Sequence, residues 1–120
     1  MKHELLFFIA KLTNLQEMIL SFDCNNAFED FKRLQYAKLS HLQVLKFQIE
    51  CPSDELLIKF LENNGKHLKV IYFNDGISNS INLAIAKFCP NLKKLFTGFK
   101  NNEIETLKMI LYSCQYLESI

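Results

Sequence analysis

Apolar residues recur along this chain in one short pattern. Leu15-Gln-Glu-Met-Ile-Leu20, Leu42-Gln-Val-Leu-Lys-Phe47, Leu68-Lys-Val-Ile-Tyr-Phe73 and Leu92-Lys-Lys-Leu-Phe-Thr97 all read L-x-x-apolar-x-apolar, with Thr97 the weakest final position. Leu117-Glu-Ser-Ile120 opens a fifth copy. The leading leucines Leu15, Leu42, Leu68, Leu92 and Leu117 follow one another at a nearly constant interval. A fixed period of this length is the mark of a repeat architecture. Each hexad predicts a short strand, near 16–21, 43–48, 69–74, 93–98 and 117–120.

Between hexads the apolar period lengthens to that of a helix. Residues 54–63 place Leu57, Phe60 and Leu61 on one face, behind Ser53 as an N-cap and with Asp54 and Glu55 at the positive end of the helix dipole. Gly65 is expected to supply a left-handed C-terminal turn. Residues 81–88 repeat the pattern through Ile81, Ile85 and Phe88 after the polar Ser78-Asn79-Ser80. In the next unit Asn102 and Glu105 have capping-box spacing, and Leu107, Ile110 and Leu111 form the apolar stripe. Residues 2–11 and 28–34 read as earlier helices, and Asp75-Gly76 as a turn leaving the third strand.

Each unit is thus a strand, a turn, a helix and a return loop in about 25 residues. One such unit cannot bury its own apolar faces, whereas stacked units share a continuous core. Strands joined by helical crossovers run parallel. The expected fold is α/β: a right-handed solenoid, with a parallel strand ladder on the concave face and helices on the convex face. Residues 1–120 form a single domain of about four to five repeats.

These residues resemble a known family. L-x-x-L-x-L followed by a helix ending in A-x-x-C-P-x-L is similar to the cysteine-containing leucine-rich repeats. Ala86-Lys-Phe-Cys89-Pro90-Asn-Leu92 matches that join closely, and Ser113-Cys114-Gln-Tyr-Leu117 in part. The resemblance spans essentially the whole chain. It implies the horseshoe segment of an F-box/leucine-rich-repeat protein, of the kind expanded in fungi, whose repeats hold substrates for SCF-type ubiquitin ligases. The chain departs from that pattern at Leu12, Leu39 and Gly65, which stand where later units have cysteine, and at Cys24 and Cys51, one place beyond the usual site. It shows no F-box-like segment, so the adaptor-binding half of that function is expected to be missing, and the chain is expected to be either a fragment of a longer protein or an unusually truncated member.

Composition narrows the partners. With 14 basic and 13 acidic residues in 120 and a net charge of +1, the chain lacks the electrostatic footprint of a nucleic-acid binder. Its 49% hydrophobic content argues against disorder. The apolar run Leu5 to Ala10 is too short to span a membrane, and no cleavage site follows it. Four dispersed cysteines, Cys24, Cys51, Cys89 and Cys114, fit a reduced, intracellular protein, cytoplasmic or nuclear, better than a disulfide scaffold.

Catalytic chemistry finds no purchase. The position three before each leading leucine holds Leu12, Leu39, Gly65, Cys89 and Cys114. A slot shared by Leu and Cys is apolar, so these thiols read as buried structural groups. His41 and His67 precede leading leucines at loop-to-strand junctions, where other units carry Asn14, Asn91 and Tyr116, and His3 stands apart. No cysteine faces a histidine in this register, and no short ligand spacing suits zinc. The glycines are too isolated for a phosphate cradle. No enzyme activity, cofactor or metal is expected.

A surface remains. Hexad positions one, four and six turn to the core, while three and five face the concave side. Ile19, Val44, Val70, Tyr72 and Phe96 then form an apolar stripe, edged by Lys46 and Lys94, and an exposed apolar patch marks an interaction site. The expected function is a protein-protein interaction module, by resemblance one that recognises substrates in a ubiquitin-ligase pathway. The alternative is a structural fragment without a partner of its own. Open solenoid ends add self-association to the expectation.

Overall fold

The computed structural model describes residues 16–20, 37–47, 53–73 and 77–120. Four strands, β1 (Glu17–Leu20), β2 (Val44–Phe47), β3 (Val70–Phe73) and β4 (Lys94–Phe96), form one parallel sheet in the order β1-β2-β3-β4. Three helices are present among the described residues: α1 (Asp54–Asn64), α2 (Asn79–Phe88) and α3 (Ile104–Ser113). The fold is mixed α/β. The helices expected over 2–11 and 28–34, the turn at Asp75-Gly76, and Cys24 and Cys51 lie outside the described residues.

Sheet register follows the spacing of the hexads. Glu17 pairs with Val44, Val44 with Val70 and Val70 with Lys94. A single parallel bridge then joins Lys94 to Ser119, so the fifth strand expected over 117–120 is reduced to its first pairing. Successive partners are separated along the chain by the same intervals as the leading leucines. One hydrogen-bond device recurs at every step. The carbonyl of the second hexad residue accepts two N–H groups from the next unit: Gln16 from Gln43 and Val44, Gln43 from Lys69 and Val70, Lys69 from Lys93 and Lys94, Lys93 from Glu118 and Ser119. A second device closes each helix-to-strand join, where Leu42, Leu68, Leu92 and Leu117 donate their N–H to the carbonyls of Leu39, Gly65, Cys89 and Cys114.

Strand pleating sorts the side chains. Leu42, Leu45, Phe47, Leu68, Ile71, Phe73, Leu92 and Leu95 are buried, each stabilising the fold by about 2 kcal/mol. They meet Leu57, Phe60 and Leu61 of α1, Ile81 and Ile85 of α2 and Ile110 of α3 in one core. Phe47 and Phe73 stack in it, with ring centres 5.6 Å apart and planes 1° from parallel. β4 is the shortest strand because its sixth hexad residue is polar. Thr97 donates its hydroxyl to Asn82 Oδ1 (3.2 Å), and Asn82 Nδ2 donates to the Gly98 carbonyl (3.3 Å).

Several local expectations are corrected. Gly65 adopts right-handed values, φ −68° and ψ −25°, because the chain continues into a 3₁₀ turn, Gly65–His67, instead of reversing hand. Its lack of a side chain serves close approach: a Cβ there would sit 2.7 Å from the Phe88 carbonyl oxygen and 2.9 Å from Cys89 Sγ. Ser53 occupies the N-cap of α1 without a side-chain cap bond. The working cap is Ser78, whose Oγ accepts from the Ile81 N–H (3.4 Å) and donates to Asp54 Oδ2 (2.7 Å), tying the starts of α1 and α2 together. In place of the box expected at Asn102 and Glu105, one half of such a box forms two residues earlier, where a 3₁₀ turn (Asn101–Glu103) leads into α3 and the N-cap residue is Lys100, whose side chain cannot accept. There the Glu103 carboxylate accepts from the Lys100 N–H (3.1 Å), while Glu105 lies beside Lys108 (3.4 Å). Of the stripe assigned to α3, Ile110 is buried, Leu107 is half-buried and Leu111 is exposed, because among the described residues α3 has a neighbouring helix, α2, on one side only.

Candidate functional site

The repeating register brings third and fifth hexad residues into two rows on the sheet. One row reads Glu17, Val44, Val70, Lys94 and the other Ile19, Lys46, Tyr72, Phe96. Each predicted site residue therefore has another as its cross-strand neighbour: Val44 beside Val70, Val70 beside Lys94, Ile19 beside Lys46, Lys46 beside Tyr72, Tyr72 beside Phe96. None is buried. Ile19 and Phe96 are 47% and 42% exposed, Lys94 is exposed, and Val44, Lys46, Val70 and Tyr72 are half-buried. The alternation of buried and open positions in β2 and β3 is the pleat of a sheet whose other face is packed.

Tyr72 and Phe96 are the anchor of this face. Their ring centres lie 5.4 Å apart with planes inclined by 51°, within the range of favourable aromatic pairs. Two aromatic rings held at the surface by two strands present apolar area with little rotamer freedom left to lose. Lys46 and Lys94 bracket the pair along and across the sheet. Neither makes an ion pair among the described residues.

Hexad positions two and minus one, which the repeat pattern alone did not join into a site, add a second feature. Lys69 and Lys93, with Asn91 and Tyr116, line a shallow recess of about 320 Å³ at the beginnings of β3 and β4. Asn91 is fixed in place, its Nδ2 donating to the Lys66 carbonyl at 2.8 Å. The signal was available in the repeat itself, since Lys69 and Lys93 are equivalent residues of adjacent hexads and Asn91 and Tyr116 of adjacent junctions. Single-residue motif searching does not detect such pairs.

Thiols and imidazoles lie elsewhere. Cys89 and Cys114 are buried and unbridged. Burial pushes both thiols up from their ordinary value, and the nearby Cys114 adds to the effect at Cys89. The Cys114 thiol donates to the Cys89 carbonyl at 3.2 Å. Neutral buried thiols are inert as nucleophiles. His41 and His67 are exposed at their junctions. Among the described residues no group of three or more His, Cys, Asp or Glu could hold a metal ion. No helix among them is long and apolar enough to cross a membrane.

Buried asparagines are the polar feature that the hydrophobic pattern could not reveal. Asn64 Oδ1 accepts from the Leu39 N–H (2.6 Å), and its Nδ2 donates to the carbonyls of Ala37 (2.7 Å) and Phe60 (3.2 Å). The amide ties the end of α1 to the preceding loop, and Asn82 does similar work for the loop after β4. Both are positioning groups beneath the face.

No known protein family, curated protein or solved structure matches the chain.

Proposed function

We propose that this chain is a leucine-rich-repeat solenoid of the cysteine-containing type and works as a protein-interaction module, its strand face being the concave binding surface. The observation that carries the reading is the Tyr72–Phe96 pair, paired across β3 and β4 and left open beside Val70 and Lys94. Buried aromatic anchors dominate many protein interfaces. The identity of hexad spacing and sheet register supports the solenoid, because each unit adds one strand and one crossover to a common core. Recognition of substrates in an SCF-type ubiquitin-ligase pathway follows from the family resemblance alone.

The test is the double substitution Tyr72→Ala with Phe96→Ala. Both side chains point away from the core, so circular dichroism and the urea midpoint should change little. Affinity capture with quantitative mass spectrometry should show the specific partners of the wild-type chain lost. A folded double variant that retains the same partners would remove the strand face as the binding surface. A wild-type chain with no specific partner would favour the alternative, a structural segment of a larger protein.

A further inference from the structure

The recess beside the aromatic pair carries a charge pattern of its own. Along the ladder, the second hexad residues read Gln16, Gln43, Lys69, Lys93 and Glu118. At this hexad position positive charge is therefore confined to two neighbouring strands. The Lys93 N–H is bonded to the Lys69 carbonyl at 2.7 Å, so the two residues stand side by side. Like charges directly across a strand pair repel. Both side chains are exposed, neither forms an ion pair among the described residues, and no carboxylate lines the recess. Its other walls are the fixed amide of Asn91 and the phenol of Tyr116, which is 62% exposed. Two lysines with no ion pair among the described residues, and a tyrosine across the same recess, supply ammonium and phenol donors of the kind that carboxylate oxygens accept from.

The width of the charge decides among anions. A nucleic-acid backbone gains affinity by engaging many phosphates in a row, but here neutral Gln43 stands on one side of the lysine pair and acidic Glu118 on the other. A short acidic segment needs only two strands. Lys93 is followed directly by Lys94, and Lys94 by Leu95 and Phe96, so the recess lining and the aromatic pair are close neighbours along β4 and its approach. We infer that the recess binds the carboxylates of an acidic peptide segment in a protein partner, with an adjoining apolar side chain of that segment resting on Tyr72 and Phe96. The inference rests on the strand-face reading above and names the partner chemistry of that surface.

The experiment is fluorescence anisotropy of the full chain with a capped, labelled peptide carrying two adjacent glutamates followed by leucine and phenylalanine. An otherwise identical peptide with glutamine for glutamate and a labelled single-stranded DNA oligonucleotide are run in parallel. The glutamate peptide should bind saturably, and Lys69→Glu with Lys93→Glu should weaken it about tenfold or more, as reversal of a complementary contact does. The glutamine peptide should be similarly weak. Lys100→Glu with Lys108→Glu, the same change in net charge at exposed sites near and on α3, should leave binding intact. Equal losses from the two charge reversals, tighter binding of the oligonucleotide, or no binding of the glutamate peptide would each overturn the inference. The two readings fail separately. Loss of binding in Tyr72→Ala/Phe96→Ala without loss in Lys69→Glu/Lys93→Glu would sink the acidic-peptide inference and spare the strand face. The reverse result would retain the recess as a carboxylate site and remove the aromatic pair from the interface.

Discussion

Helices α2 and α3 occupy equivalent places in successive units, yet they live in different surroundings. Ile85 and Ile110 are both fully buried, as are Cys89 and Cys114 at the two helix ends. On the neighbouring positions they part. Ala84 and Ala86 of α2 are buried, whereas their counterparts Met109 and Leu111 are 49% and 53% exposed. α2 packs between α1 and α3, and small residues on its flanks allow that close approach. Among the described residues α3 has a helix on one side only. The lesson is that the inward stripe belongs to each unit, while the flanks belong to the contact between units. Hydrophobicity alone does not tell the two apart.

The largest effect that this contrast predicts is at the inward stripe. Ile85→Ala should cost about 3 kcal/mol, as large-to-small changes in a packed core do, read as a lower urea midpoint at unchanged slope. Leu111→Ala, on an open flank, should stay within about 0.5 kcal/mol. Equal losses would mean that the flank of α3 is covered in solution and would break the comparison.

A smaller loss is expected where units meet at the helix ends. Gly65→Ala places a methyl group against the Phe88 carbonyl and Cys89 Sγ, and overpacking of this kind costs about 2 kcal/mol. Gly98→Ala meets nothing within 4 Å and should be nearly neutral. Adding Cys89→Ala to Gly65→Ala should recover only part of the loss, because the backbone oxygen of Phe88 remains. Full recovery in thermal or urea melts would assign the whole clash to the thiol.

The effect that is mildest at neutral pH is titration of the same contact. In the folded chain burial raises the Cys89 and Cys114 thiols above their ordinary value of 9.0, so they keep their protons where the unfolded chain releases them. The unfolded state then binds fewer protons, and stability falls as pH rises. Below about pH 8 the two thiols should contribute no pH dependence; above it stability should decline. In Cys89→Ala the decline should be shallower. Chemical denaturation across pH 7 to about 10.5 checks the sign, and a stability rising over that interval would contradict it.

Much of the fold is legible in the residues because period and register are the same quantity here. A hexad repeated at a nearly constant interval sets which strands pair and which residues become neighbours. The rows Val44–Val70–Lys94 and Lys46–Tyr72–Phe96 could therefore be written down before any coordinates. Capping was less legible. Ser53, Ser78 and Asn102 are all good cap residues, but only Ser78 makes the side-chain bond, since helix ends shift by a residue or two with the turn before them.

What the sequence determined by itself was the alternation of strand and helix, the inward leucines, and the rows of side chains across the sheet. These follow from local periodicity, which is a property of one unit copied along the chain. Tertiary structure alone decided that Gly65 serves space and not hand, that Asn64 and Asn82 are buried and satisfied, that Leu111 is open, and that Lys69 and Lys93 share a recess with Tyr116. Each of those depends on how closely groups well separated along the chain approach one another in space. The packing of each strand and helix against the next sets that distance, and local periodicity does not contain it.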